Sequence, residues 1–210
     1  MKFLHALGSL VVMDLARPIE AVIPGAQGQL LAALVCAGRE LSTKTVAQIA
    51  GVSAPHASRV LANLVSLGIV QRRDVPPVAL YSMTTGSAVA DLLRDLNGLR
   101  GRVFSEMASA AVEMSPQPVE VTVFGSVARG ESDADSDIDV LLVAPNGALD
   151  TDEWTSSVIT WTKRISEFAA SPTQVIEVDE HQRRTSPDNA LWRGIRRDGI
   201  VVFPRKATFR

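Results

Sequence analysis

The stretch VEVTVFGSVARGESDADSDIDVLLVA, residues 119–144, constrains the fold of this 210-residue chain more than any other. VEVTVF alternates apolar and polar residues and ends at Phe124, which makes it a strand followed by a Gly125-Ser126 turn. SDIDVLLVA is the next strand. Its two-residue period sends Asp137, Asp139, Leu141 and Val143 to one face and Ile138, Val140 and Leu142 to the other. Two carboxylates on one face, about 7 Å apart by strand rise, can converge on one or two hard cations. Burying such a pair without a cation is costly.

Four aspartates, Asp133, Asp135, Asp137 and Asp139, fall at every second position here. A calcium loop of EF-hand type is excluded. Its sixth position would be Ile138 instead of Gly and its twelfth Ala144 instead of Glu. Asp133 and Asp135 suit a solvated turn beside Glu131 and Ser132. Asp137 and Asp139 do not, because they interleave with Ile138 and Val140 at the mouth of an apolar strand.

The segment GSVARGESDADSDIDVLLV resembles the signature of the polymerase-beta-like nucleotidyltransferase superfamily, in particular its minimal members: Gly-Ser, Ala-Arg-Gly, a variable acidic turn, then Ser-Asp-x-Asp before an apolar strand. The resemblance implies an α+β domain with a small mixed sheet over 119–210. It also implies transfer of a nucleoside monophosphate from an NTP, with ATP the favoured substrate, to a protein, RNA or small-molecule acceptor. Asp137 and Asp139 would hold Mg²⁺ or Mn²⁺, which neutralises phosphate charge. Gly125 would permit close backbone approach, Ser126 would supply a hydroxyl and N–H to phosphate, and Arg129 would contact phosphate or pair with Glu131 or Asp133. A third carboxylate is expected on a neighbouring strand. In TQVIEVDEH, Glu177 is taken as that catalytic and metal-binding group, with Asp179 second. Glu in place of the more usual Asp is a departure from the pattern, and activity would be weak or lost if neither residue reaches the site.

The first half carries a different period. GQLLAALVCAG, STKTVAQIAG and SAPHASRVLANLVSLG each read as a helix closed by glycine. Val46, Ile49 and Ala50 form the stripe of the second, and Ala57, Val60, Leu61, Leu64 and Leu67 that of the third. IVQRRDVPPVALYSMT then alternates as a hairpin around Asp-Val-Pro-Pro. This order resembles the winged helix-turn-helix of bacterial transcription regulators, which implies a mainly α domain over 1–84 that binds double-stranded DNA. Ser53, His56 and Arg59 would face the bases, while Lys44, Arg72 and Arg73 would meet phosphates. From Thr43 to Tyr81, Lys44, Arg59, Arg72 and Arg73 stand against Asp74, a net of three positive charges in a chain whose overall net charge is −2. A protein-interaction module is the rival reading of the same fold.

Residues 85–118 read as a connecting helix, broken near Gly98 and Gly101, that ends in the linker SPQP and suits a homodimer. In DEWTSSVITWTKRISEFAA, Trp154, Val158, Trp161 and Ile165 form a core stripe. Lys163 and Arg164, and the pairs Arg183 with Arg184 and Arg196 with Arg197, are either substrate contacts or solvated surface. Cys36, the one cysteine, reads as a small core residue, and His5, His56 and His181 lack zinc spacing. FLHALGSLVVMDLA near the start reads as part of the fold, and no segment has the length of a membrane span. A cytoplasmic protein without membrane partners is expected. The combined reading is a nucleotidyltransferase joined to a DNA-binding domain, as a regulator or a toxin-antitoxin component. Its rival is a transcription regulator whose second domain senses nucleotide without catalysis.

Overall fold

Helical spacing in the first half and alternation in the second sort the chain into two units. The computed structural model describes residues 13–204. One unit spans Arg17–Leu99; the other comprises, of the described residues, 13–16 and 100–204. The apolar stretch before residue 13, with His5, lies outside the described residues.

In the first unit, α1 (Pro18–Val22) leads to α2 (Ala26–Ala37), which Gly38 ends in the left-handed region at φ 60°. A two-residue strand β1 (Leu41–Ser42) follows, and the Ser42 hydroxyl accepts the Thr45 N–H to cap α3 (Thr43–Ile49). After α4 (Ala54–Ser66), β2 (Val70–Val75) and β3 (Val78–Met83) form an antiparallel hairpin closed by Pro76-Pro77, where no ladder donor is needed. β1 pairs with the other edge of β3, giving the order β1-β3-β2. α5 (Ala88–Asn97) packs on the same core through Ala90 and Leu93. That core is apolar throughout, with Leu30, Leu34, Val46, Leu61 and Leu64 sealed from solvent. Each fully buried leucine contributes about 1.5–3 kcal/mol.

Expectations fail at three residues of this unit. Ile49 and Leu67 are more than half exposed, because each falls in the last turn or cap of its helix, where the stripe runs off the packed surface. Cys36 is exposed too, with Sγ 3.5 Å from Asn97 Oδ1. Its helix is apolar on nearly every side, so composition did not mark which face would be buried. The break between α5 and α6 (Leu99–Val112) comes at Gly98, and the helix runs through Gly101 without interruption.

The second unit continues with β4 (Glu120–Phe124), the short α7 (Gly125–Arg129), β5 (Ile138–Ala144), α8 (Asp152–Ala169), β6 (Thr173–Asp179), α9 (Glu180–Arg184), α10 (Ala190–Asp198) and β7 (Ile200–Phe203). The sheet order is β6-β5-β4-β7, with β5 and β6 parallel and the other pairs antiparallel. This is the small mixed sheet expected of an α+β domain. The α8 crossover is what permits the parallel pair. Every residue of β5 except Asp139 is buried. On one face Leu141 and Val143 join Phe124, Val178, Trp192 and Ile195. On the other, α8 buries Trp154, Val158, Trp161 and Ile165, the stripe read from the sequence. No helix among the described residues is long and apolar enough to cross a membrane.

Candidate functional site

The site is a corner where β4 ends, α7 begins and β5 starts. Antiparallel register sets Phe124 opposite Asp139, so the Gly125-Ser126 turn lies beside that carboxylate. Gly125 has φ +73°, and a Cβ there would run into the Asp139 Oδ2. Both facts require glycine: a side chain would be strained and would also fill the space next to the carboxylate. Asp139 is only partly exposed. Burial raises its pKa above the ordinary carboxylate value, the neighbouring Asp137 raises it further, and Arg129 acts in the opposite sense. Ser126 is half-buried in α7.

The acidic turn divides as its spacing suggested. Asp133 Oδ1 accepts the Asp135 N–H at 3.1 Å and the Ser136 hydroxyl at 2.7 Å, closing the loop on itself. Ser132 is buried beneath it and accepts the Ala16 N–H at 3.1 Å. Asp137 stands at the exit of this loop, one residue before β5, and accepts a hydrogen bond from the Gln174 amide.

The structure corrects the expected third carboxylate. Parallel register aligns Asp139 with Gln174 and Leu142 with Glu177. Glu177 is therefore on the opposite face of the sheet and farther along the strand. Its Oε2 accepts the Trp154 indole N–H at 2.6 Å, so it ties α8 to β6. Asp179 aligns with Ala144 and caps α9, accepting the Gln182 N–H at 2.6 Å. Neither reaches the aspartate pair. Gln174, which sequence reasoning missed, does. Alternation put Gln174 and Glu177 on different faces, but only the pairing offset of β6 decides which face meets Asp139.

Among the described residues, no three His, Cys, Asp or Glu side chains gather as a metal-binding group. The donors present nevertheless suit magnesium. Asp137 close enough to act on Asp139, the space kept open by Gly125 and the Gln174 amide match an ion that takes one or two carboxylates and leaves its other positions to water and substrate phosphates.

Arg129 is held by Glu131 at 2.7 Å and faces Asp198 at 3.7 Å. The Arg197 hydrogen bond, with help from Arg129, keeps Asp198 below the usual carboxylate range. The other basic candidates are held elsewhere. Arg164 bridges Glu106 and Glu113, and Lys163 lies 3.9 Å from Glu167. Arg183 pairs with Glu120 and covers the Trp192 ring, Arg184 faces Glu180, and Arg196 meets Asp188.

In the first unit Lys44, Ser53, His56 and Arg59 are all exposed on α3 and the start of α4. Arg72 and Arg73 are exposed but already neutralised. Arg72 pairs with Asp74 at 2.7 Å, and Arg73 chelates Glu40, holding that carboxyl below its ordinary pKa chiefly by hydrogen bonding. The expected surplus of positive charge on this face is thus smaller than a count over Thr43–Tyr81 gave, because Glu40 lies outside that window.

Residues 105–187 match the family model of the nucleotidyltransferase domain, a match that spans less than half of the chain and includes α7, β5 and β6. No curated protein matches the chain significantly. Among solved structures, a candidate nucleotidyltransferase from Sulfolobus solfataricus is 22% identical over 49% of this chain and 81% of its own, with a TM-score of 0.29.

Proposed function

We propose that the second unit binds a nucleoside triphosphate with Mg²⁺ at Asp137 and Asp139 and transfers its nucleoside monophosphate to a protein, RNA or small-molecule acceptor. The observation that carries this reading is the pair itself: Asp137 at the mouth of a buried strand acts on Asp139 within it, and Asp139 is pressed against a glycine whose missing side chain keeps the corner open. A bound divalent ion would neutralise phosphate charge as pyrophosphate leaves. The chain's own contributions are separate from that. Asp139, raised in pKa by burial, must be ionised to serve as a ligand. Ser126 presents a hydroxyl beside Gly125, where phosphate oxygens can approach the backbone. Arg129, fixed by Glu131, lends positive potential to the same corner. Incubation with α-labelled NTPs, Mg²⁺ and cell extract is expected to label an acceptor, and Asp137→Asn or Asp139→Asn to abolish it. Labelling that survives both changes contradicts the assignment.

We also propose that the first unit is a winged helix-turn-helix that binds double-stranded DNA. Its element order and the exposed Lys44, Ser53, His56 and Arg59 support this. Lys44 and Arg59 have no carboxylate partner among the described residues, so they would supply more phosphate affinity than the paired Arg72 and Arg73. Salt-sensitive retention of duplex DNA tests it, and a DNA-independent pull-down partner with no retention would favour a protein-interaction role.

A second reading of the nucleotide site, a sensor without turnover, has one observation in its favour: the β6 residue in register with Asp139 and bonded to Asp137 is the neutral Gln174. It predicts DNA binding altered by ATP with no pyrophosphate release.

A further inference from the structure

Gln174 is the β6 residue in register with Asp139, and its amide Nε2 donates to Asp137 Oδ2. It is exposed, so this bond is not imposed by core packing. Its alternation partners Ile176 and Val178 turn to the apolar face, which leaves Gln174 as the polar end of that row. Gln174 is therefore linked to both members of the pair: to Asp139 by backbone register and to Asp137 by a side-chain hydrogen bond.

We propose that Gln174 is a positioning residue that orients Asp137 and keeps the corner at two negative charges, so that cation uptake depends on the triphosphate. This rests on the nucleotide-site reading above. A neutral amide can donate to Asp137, whereas an ionised carboxylate in its place would repel both aspartates. The charge count has a direct consequence. Cation affinity of oxygen sites rises with the number of charged ligands, and two half-buried carboxylates alone retain a divalent ion weakly. The phosphates of the nucleotide bring the missing charge, so ion and nucleotide enter as a cooperative pair and neither binds tightly alone.

The test is a Mn²⁺ titration of the full-length protein read by electron paramagnetic resonance, with and without a non-hydrolysable ATP analogue. For the wild type, the analogue is expected to tighten Mn²⁺ binding about tenfold or more. Gln174→Glu and Gln174→Asp should each tighten binding of Mn²⁺ alone by about tenfold and shrink the analogue's effect. Gln174→Ala should leave the melting temperature near wild type yet weaken Mn²⁺ binding in the presence of the analogue, a split that a merely structural residue would not give. If the acidic variants bind Mn²⁺ alone no better than wild type while Asp139→Asn abolishes binding, the role of Gln174 is refuted and the nucleotide site stands. If Asp137→Asn and Asp139→Asn both bind as wild type does, the site reading falls and this inference falls with it.

Discussion

The β2–β3 hairpin of the first unit and the β4–α7–β5 corner of the second both gather charge on a strand pair, and they treat it in opposite ways. At the hairpin each arginine has a carboxylate at hand, Arg72 with Asp74 and Arg73 with Glu40. These pairs are exposed, so each contributes little to stability. At the corner two like charges stand together on a buried strand, and burial and mutual repulsion raise the pKa of one of them. A chain that holds that arrangement sacrifices some stability for it, and such perturbed groups concentrate where ligands bind. Like charge held together against an apolar strand is therefore the stronger functional signal; the hairpin's basic pair is the weaker one.

The sharpest way to break this contrast is at the pair. Asp139→Asn should reduce nucleotidyl transfer by about 100-fold or more, read as label incorporated per minute. The same change should raise the melting temperature of the cation-free protein at pH 7. The sign follows from the raised pKa: the ionised form costs stability above the folded-state pKa, and that cost disappears as pH falls through it, so the variant's advantage should vanish in acid. By the same linkage, Mn²⁺ affinity should fall with pH in a range above the usual carboxylate titration.

Gly125→Ala should come next, lowering stability by about 1–2 kcal/mol for the left-handed backbone, with Mn²⁺ binding lost as Asp139 is displaced. In the first unit, Arg59→Ala on α4 and Lys44→Ala on α3 should each weaken DNA retention several-fold and lower the salt slope by about one, whereas Arg72→Ala on the hairpin should do less because that guanidinium is already engaged. The smallest effect is expected at Glu177. Glu177→Gln should cost about 1 kcal/mol of stability through the weakened Trp154 bond and change Mn²⁺ affinity less than about twofold.

Much of the corner was legible from spacing alone. The strand that ends at Phe124, the polar turn of Asp133 and Asp135, and the α8 stripe follow from local periodicity, whereas Gly125 and Ser126, read as a turn, open α7, and Asp137 falls one residue short of β5. What failed was non-local. Glu177 looked central in its strand, but strand pairing, not strand composition, decides which residues share a face with Asp139. Trp154 then claims the Glu177 carboxylate from across α8. Cys36 failed for a related reason: a helix apolar on most sides does not declare its inner face. The pairing of Arg73 with Glu40 was hidden because its partner is 33 positions away.

The most direct test of the central claim is a crystal structure of the protein with a non-hydrolysable NTP and Mn²⁺, read by anomalous scattering. An anomalous peak within coordination distance of both Asp137 and Asp139, with triphosphate oxygens on its other side near Gly125 and Ser126, is the predicted result. A nucleotide bound elsewhere, or bound at the corner with neither aspartate touching the ion, would contradict it.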